Sequence, residues 1–138
     1  MDAKSFQAQL KETGHYASPR GIWRHHLPSF LATPIFDAFM AEIFVRGNIQ
    51  SRRPGFMDKE WSEFGVRVIH LVERIGGYVE VEGFRGISDL REKVVWVSNH
   101  VSALETYLLP PILMTWPGLA IVLKEPLAHY PVFGSVVR

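Results

Sequence analysis

Val94-Val95-Trp96-Val97-Ser98-Asn99-His100-Val101-Ser102-Ala103-Leu104-Glu105 is the stretch that decides the fold class. Four apolar residues in a row, three of them β-branched, read as a short central strand covered on both faces. Ser102 to Trp116 follows as a helical stretch interrupted at Pro110-Pro111, and Leu119 to Leu123 repeats the apolar strand character. A strand, a crossover helix and a second strand in one sheet form a right-handed parallel unit, so the expected class is α/β.

Upstream, Tyr78 to Phe84 alternates Val79 and Val81 with Glu80 and Glu82, the period of a strand with one wet face, and Gly83 and Gly86 close it. Before it, Trp61, Phe64, Val68, Ile69, Val72 and Ile75 recur at helical spacing, with Gly76-Gly77 as a left-handed stop. That helix is expected to pack on the sheet. Ile35, Phe36, Phe39, Met40, Ile43 and Phe44 predict another amphipathic helix between Pro34 and Arg46. Two readings stay open for it: a helix packed on a core, or one lying in a membrane interface, although its polar face lacks the Lys and Arg that interfacial helices favour. Arg52-Arg53-Pro54-Gly55 reads as a solvated loop, or as a basic contact for anionic lipid head groups.

Residues 1–27 are mostly polar, are punctuated by Gly14, Pro19 and Gly21, lack sustained periodicity, and are expected to form a mobile arm or a wrapping segment. Residues 28–76 make the amphipathic helical segment, and 77–138 the start of a mixed, partly parallel sheet. Met1 to Leu10 lacks the apolar run of a secretory signal, so the start reads as mature and cytosolic. No charge occurs between Glu105 and Lys124, but Pro110, Pro111, Pro117 and Gly118 would break a spanning helix.

With 15 Lys+Arg against 14 Asp+Glu, the chain has no basic stripe for a nucleic acid. The absence of cysteine removes disulfides, thiolate zinc sites and cysteine nucleophiles. There is no G-x-S-x-G elbow, phosphate-binding P-loop or H-E-x-x-H, and His25-His26 lacks nearby ligands, so no metal site is expected.

The chemistry concentrates after the apolar run. His100 stands at the carboxyl end of the expected strand, where open α/β sheets place ligands. Residues five apart on a helix lie about 140° from one another, so His100 belongs in the turn and Glu105 in the first helical turn, pointing back. A carboxylate so placed fixes an imidazole tautomer and stabilises the imidazolium. Ser102-x-x-Glu105 is equally a capping box, which needs no catalysis, and the two jobs are compatible.

The run from Val94 to Thr106 resembles the first signature block of the glycerolipid (lysophospholipid) acyltransferase family, an N-H-x4-D/E motif after an apolar strand. Leu123-Lys124-Glu125-Pro126-Leu127, followed by Pro131-Val132-Phe133-Gly134, is similar to that family's K-x-E-L segment and its downstream P-x-F-G. The likeness covers about Tyr78 to the end. Glu105 replaces the aspartate usual in the acylglycerol-phosphate branch, and Pro126 takes the place of the usual glutamate. The family's later arginine-containing and E-G-T-R-like blocks have no counterpart, so the resemblance implies an N-terminal portion of an acyltransferase domain, with low turnover by these 138 residues alone.

What the resemblance implies is transfer of a fatty acyl group from acyl-CoA or acyl carrier protein to the hydroxyl of a lysophospholipid such as 1-acylglycerol 3-phosphate, in phospholipid biosynthesis. The enzyme would sit at the cytoplasmic side of a membrane, as a peripheral or monotopic protein, and need no cofactor beyond the acyl donor. His100 would be the general base and Glu105 its orienting acid, with Asn99, Ser102 and Lys124 as substrate-binding residues. The competing expectation is a non-catalytic membrane-associated module that retains the acyltransferase scaffold.

Overall fold

The computed structural model describes residues 1–19, 28–51, 58–87, 94–99, 101, 102, 104–116, 119, 120, 122 and 124–129. Among them lie five helices, α1 (Ala3–Thr13), α2 (Ser29–Ser51), α3 (Asp58–Arg74), α4 (Glu105–Leu113) and α5 (Glu125–Ala128). Two short strands, β1 (Tyr16–Ala17) and β2 (Glu80–Val81), pair antiparallel with Tyr16 opposite Val81 and Ala17 opposite Glu80.

The expected polar arm is in its first half a helix, which corrects the reading of residues 1–27. The Asp2 carboxylate accepts the Ser5 amide at 2.8 Å and caps α1. Gly14, at φ 66°, ends it by donating its amide to the Leu10 carbonyl at 2.9 Å. A side chain at Gly14 would also collide with the backbone of Phe84 and Arg85. Ala3, Phe6 and Leu10 lie at helical spacing and are buried. Two large apolar residues are too few to show a period, and α1 is held by what it packs against rather than by its own pattern.

α3 is the central element. Its stop is a Schellman turn, with Gly77 donating to the Val72 carbonyl at 2.8 Å and Gly76 to that of Glu73 at 3.1 Å. α3 packs mainly on helices, most extensively α4, then α1 and α2, and meets the two-stranded ribbon through Tyr16 and Val81. One side of α3 places Val66 and Ile69 with Ala3, Phe6, Leu10, Tyr16, Val81, Ile112 and Trp116. On the other side Val68 meets Met40 and Ile43 of α2, with Phe36, Phe39, Leu104, Tyr107 and Leu108 alongside. The first cluster draws on each of the three stretches marked out in the sequence, so they share one core.

Helix α3 approaches α4 closely at Gly65, where an added Cβ would lie 2.3 Å from Pro111 Cγ. Pro110 and Pro111 do not interrupt α4 as the sequence suggested; the helix passes through both and ends two residues later. α2 likewise begins at Ser29, five residues before the expected start, and contains Pro34. Proline withholds a donor from the carbonyl four residues back; here that is Phe30, in the first turn of the helix.

The expected parallel sheet is not seen among the described residues. Among the described residues only β1 and β2 pair, antiparallel, and Val94 to Ser98 forms no ladder. Trp96 turns inward against Phe84 and Trp116, with ring centroids 6.1 and 5.8 Å away. Val95 and Val97 point the other way, 88% and 89% exposed, and Val122 is 98% exposed. An apolar run reads as covered on both sides only where strands flank it; here one side is covered. Val81 faces the core while Glu80 and Glu82 face solvent, as the alternation implies, but the partner strand comes from the segment after α1.

Candidate active site

The site expected from sequence lies at the start of α4. Leu104 adopts a helical conformation (φ −64°, ψ −33°) without a side-chain cap of its own, and its carbonyl accepts from Tyr107 and Leu108. Ser102 supplies the cap, its Oγ accepting the Leu104 amide at 3.0 Å. Glu105 closes the motif from the other side. Its Oε1 accepts the Ser102 amide at 3.1 Å, and both carboxylate oxygens lie 3.0 Å from the Val101 amide. This is capping-box chemistry shifted by one donor, and it places a negative charge at the positive end of a helix.

The carboxylate is therefore fixed, and it reaches back along the chain over the turn that precedes the helix. A carboxylate has room for about four hydrogen bonds, so holding two amides is compatible with orienting an imidazole. His100 itself lies outside the described residues, as do His25, His26, Arg52, Arg53 and Pro131-Val132-Phe133-Gly134. Asn99 and Ser102 are exposed, and so is Lys124, which immediately precedes α5. The structure thus brings Ser102 and Glu105 together. Lys124, expected at the end of a parallel strand, is in no strand, and the crevice that such a strand would wall is not formed among the described residues.

A second polar constellation was not anticipated. The Tyr16 hydroxyl donates to Glu73 Oε1 at 2.6 Å within the core, and His70 Nδ1 lies 2.9 Å from Glu73 Oε2. His70 Nε2 is 2.9 Å from the Met1 carbonyl. Both ring nitrogens of His70 therefore face oxygen atoms. Burial pushes the Glu73 carboxyl up, but hydrogen bonds from Tyr16, His70 and Ser18 outweigh it and hold the group below its ordinary range. Burial and the neighbouring carboxylate push the Tyr16 hydroxyl well above its ordinary value. This arrangement ties the start of α1 and β1 to α3. His70-x-x-Glu73 was visible as a helical i, i+3 pair, whereas nothing local linked Tyr16 to it.

No helix among the described residues is long and apolar enough to cross a membrane. No protein-family model, curated protein or solved structure matches the chain.

Proposed function

We propose that the chain carries the base-and-acid portion of a glycerolipid acyltransferase that uses acyl-CoA or acyl carrier protein and a lysophospholipid, with 1-acylglycerol 3-phosphate as the acceptor. The observation that supports this reading is the anchored Glu105, whose carboxylate is held by the Val101 and Ser102 amides just after the Asn99-His100 motif in sequence. The Lys124-Glu125 segment at the family's spacing supports it.

In this reading the acceptor hydroxyl oxygen attacks the thioester carbonyl while His100 takes its proton. The C–S bond breaks, the ester forms, and the departing thiolate receives the proton back from the imidazolium. Glu105 orients the ring and compensates its charge without bonding to substrate. A positioned base contributes about 10²- to 10⁴-fold; alignment of the two substrates supplies much of the rest. Asn99, Ser102 and Lys124 are assigned to substrate binding, with Lys124 facing phosphate.

The assay follows free CoA from acyl-CoA and 1-acylglycerol 3-phosphate in vesicles. These 138 residues contain no cysteine and so add no thiol of their own to the CoA signal. A form extended through the family's later blocks is expected to release CoA in step with phosphatidic acid, and His100→Ala to abolish both while remaining folded.

One observation favours the second reading, a membrane-associated module without catalysis. Phe30, Leu31, Ile35, Val45 and Ile49 of α2 are exposed, on the side away from the buried Met40 and Ile43. Vesicle flotation together with a complete lack of acyl transfer by the extended form would select it.

A further inference from the structure

The outer face of the β1–β2 ribbon gathers three side chains that are remote in sequence. The antiparallel register sets Tyr16 against Val81, so His15 comes opposite Glu82, with Glu80 on the diagonal. Tyr16 and Val81 turn into the core, and the alternation of strands sends His15, Glu80 and Glu82 together into solvent. His15 Nε2 lies 3.8 Å from Glu80 Oε1 and 4.0 Å from Glu82 Oε1. One ligand atom from each of the three residues falls within 4.8 Å of the other two.

These distances exceed the 2.7–2.9 Å or so of a charge-assisted hydrogen bond. The imidazole and the carboxylates thus converge on shared space without being hydrogen-bonded to each other, and two like charges are held side by side. A tetrahedral zinc ion with ligands at about 2.0–2.2 Å spaces them about 3.3 Å apart. Closing the set needs about 0.5 and 0.7 Å of movement in the two nitrogen-to-oxygen distances and up to about 1.5 Å in the widest separation, within the reach of exposed glutamates. The backbone of His15 is anchored. The residue follows the left-handed Gly14, and its amide donates to Thr13 Oγ1 at 3.1 Å.

We propose that His15, Glu80 and Glu82 bind a divalent transition-metal ion of the zinc class. One nitrogen and two carboxylate oxygens suit Zn²⁺ and its neighbours better than Mg²⁺ or Ca²⁺, which prefer oxygen alone. Two carboxylates balance the charge of the ion, and a fourth position stays open to water. The ion would bridge the end of α1 to β2 and fasten the ribbon from its wet side.

The test is titration of the 138-residue chain with ZnCl₂, followed by calorimetry and by the ring resonances of its six histidines. One equivalent is expected to bind, to shift the His15 ring first and to raise the melting midpoint. His15→Gln, Glu80→Gln and Glu82→Gln are each expected to weaken binding at least about 10-fold, the scale already seen on disturbing outer-shell partners. Because these residues are exposed, the variants should melt as the metal-free wild type does. Absence of stoichiometric binding overturns the proposal, and so does binding of unchanged strength in the three variants.

Discussion

Replacing Gly65 by alanine tests how α3 and α4 are held together. The added methyl carbon would lie 2.3 and 2.4 Å from Pro111 Cγ and Cδ and 2.6 Å from the Tyr107 carbonyl oxygen. Ordinary carbon contacts are about 3.5–4.0 Å, so the helices must part by about 1 Å at their closest point. Two of the three obstacles belong to a proline ring and the third to backbone, and none can swing aside. Overpacking of this kind costs about 1–3 kcal/mol, and the upper end applies here. Alanine's higher helix propensity returns about 1 kcal/mol, leaving a net loss of about 2 kcal/mol. For a chain of this size that lowers the melting temperature by about 5–8 °C. Urea unfolding followed by circular dichroism reads the loss directly. Combining Gly65→Ala with Pro111→Ala removes the ring contacts, so the double variant should be more stable than the sum of the two single effects by at least about 0.5 kcal/mol. If Gly65→Ala is as stable as wild type or more so, as helix propensity alone dictates, the close approach is refuted.

Phe6→Ala should cost about 3–5 kcal/mol, because the ring is fully buried and meets Tyr16 edge-on at 5.0 Å; a loss below 1 kcal/mol in urea unfolding would return residues 3–13 to the status of an arm. Tyr16→Phe removes the donor to Glu73 Oε1 and should cost about 1–3 kcal/mol by the same measurement. Glu73 is held below its ordinary 4.5, so the unfolded chain takes the proton first as the medium is acidified. Its stabilisation is therefore present above pH 4.5 and is lost as the pH falls through the folded-state value. In Tyr16→Phe that acid loss should be shallower, and an unchanged pH profile of stability would contradict the role given to the hydroxyl. Glu105→Ala removes the acceptor of the Val101 and Ser102 amides, so hydrogen exchange at both should accelerate; unchanged protection there would refute the cap.

The parts legible in the sequence were those whose signals are local. The helical period of α3 and its Gly76-Gly77 stop are local signals, although Val66 and Leu71, outside the face that period marks, are buried as well. Ser102-x-x-Glu105 announced a helix start, and the structure uses both side chains there, with the Ser102 hydroxyl taking the Leu104 amide. What was not legible depended on distant partners. Ala3, Phe6 and Leu10 acquire meaning only against Val66, Ile69 and Ile112. The run from Val94 to Val97 is equally apolar whether one face or two are covered, and Trp96 alone found a core. Proline at 34, 110 and 111 reads as a break, yet a helix tolerates the lost donor where packing or water makes up for it. The convergence of His15 with Glu80 and Glu82 follows from a strand register that no local pattern in residues 14–17 reveals.

The most direct test of the acyl-transfer reading is the thiol-release assay run side by side on the extended form, its His100→Ala variant and its Glu105→Gln variant. Base catalysis by His100 predicts phosphatidic acid and CoA in equal amounts from the parent, none above background from His100→Ala, and a lowered kcat with little change in KM for Glu105→Gln. Undiminished turnover by a folded His100→Ala protein would contradict it.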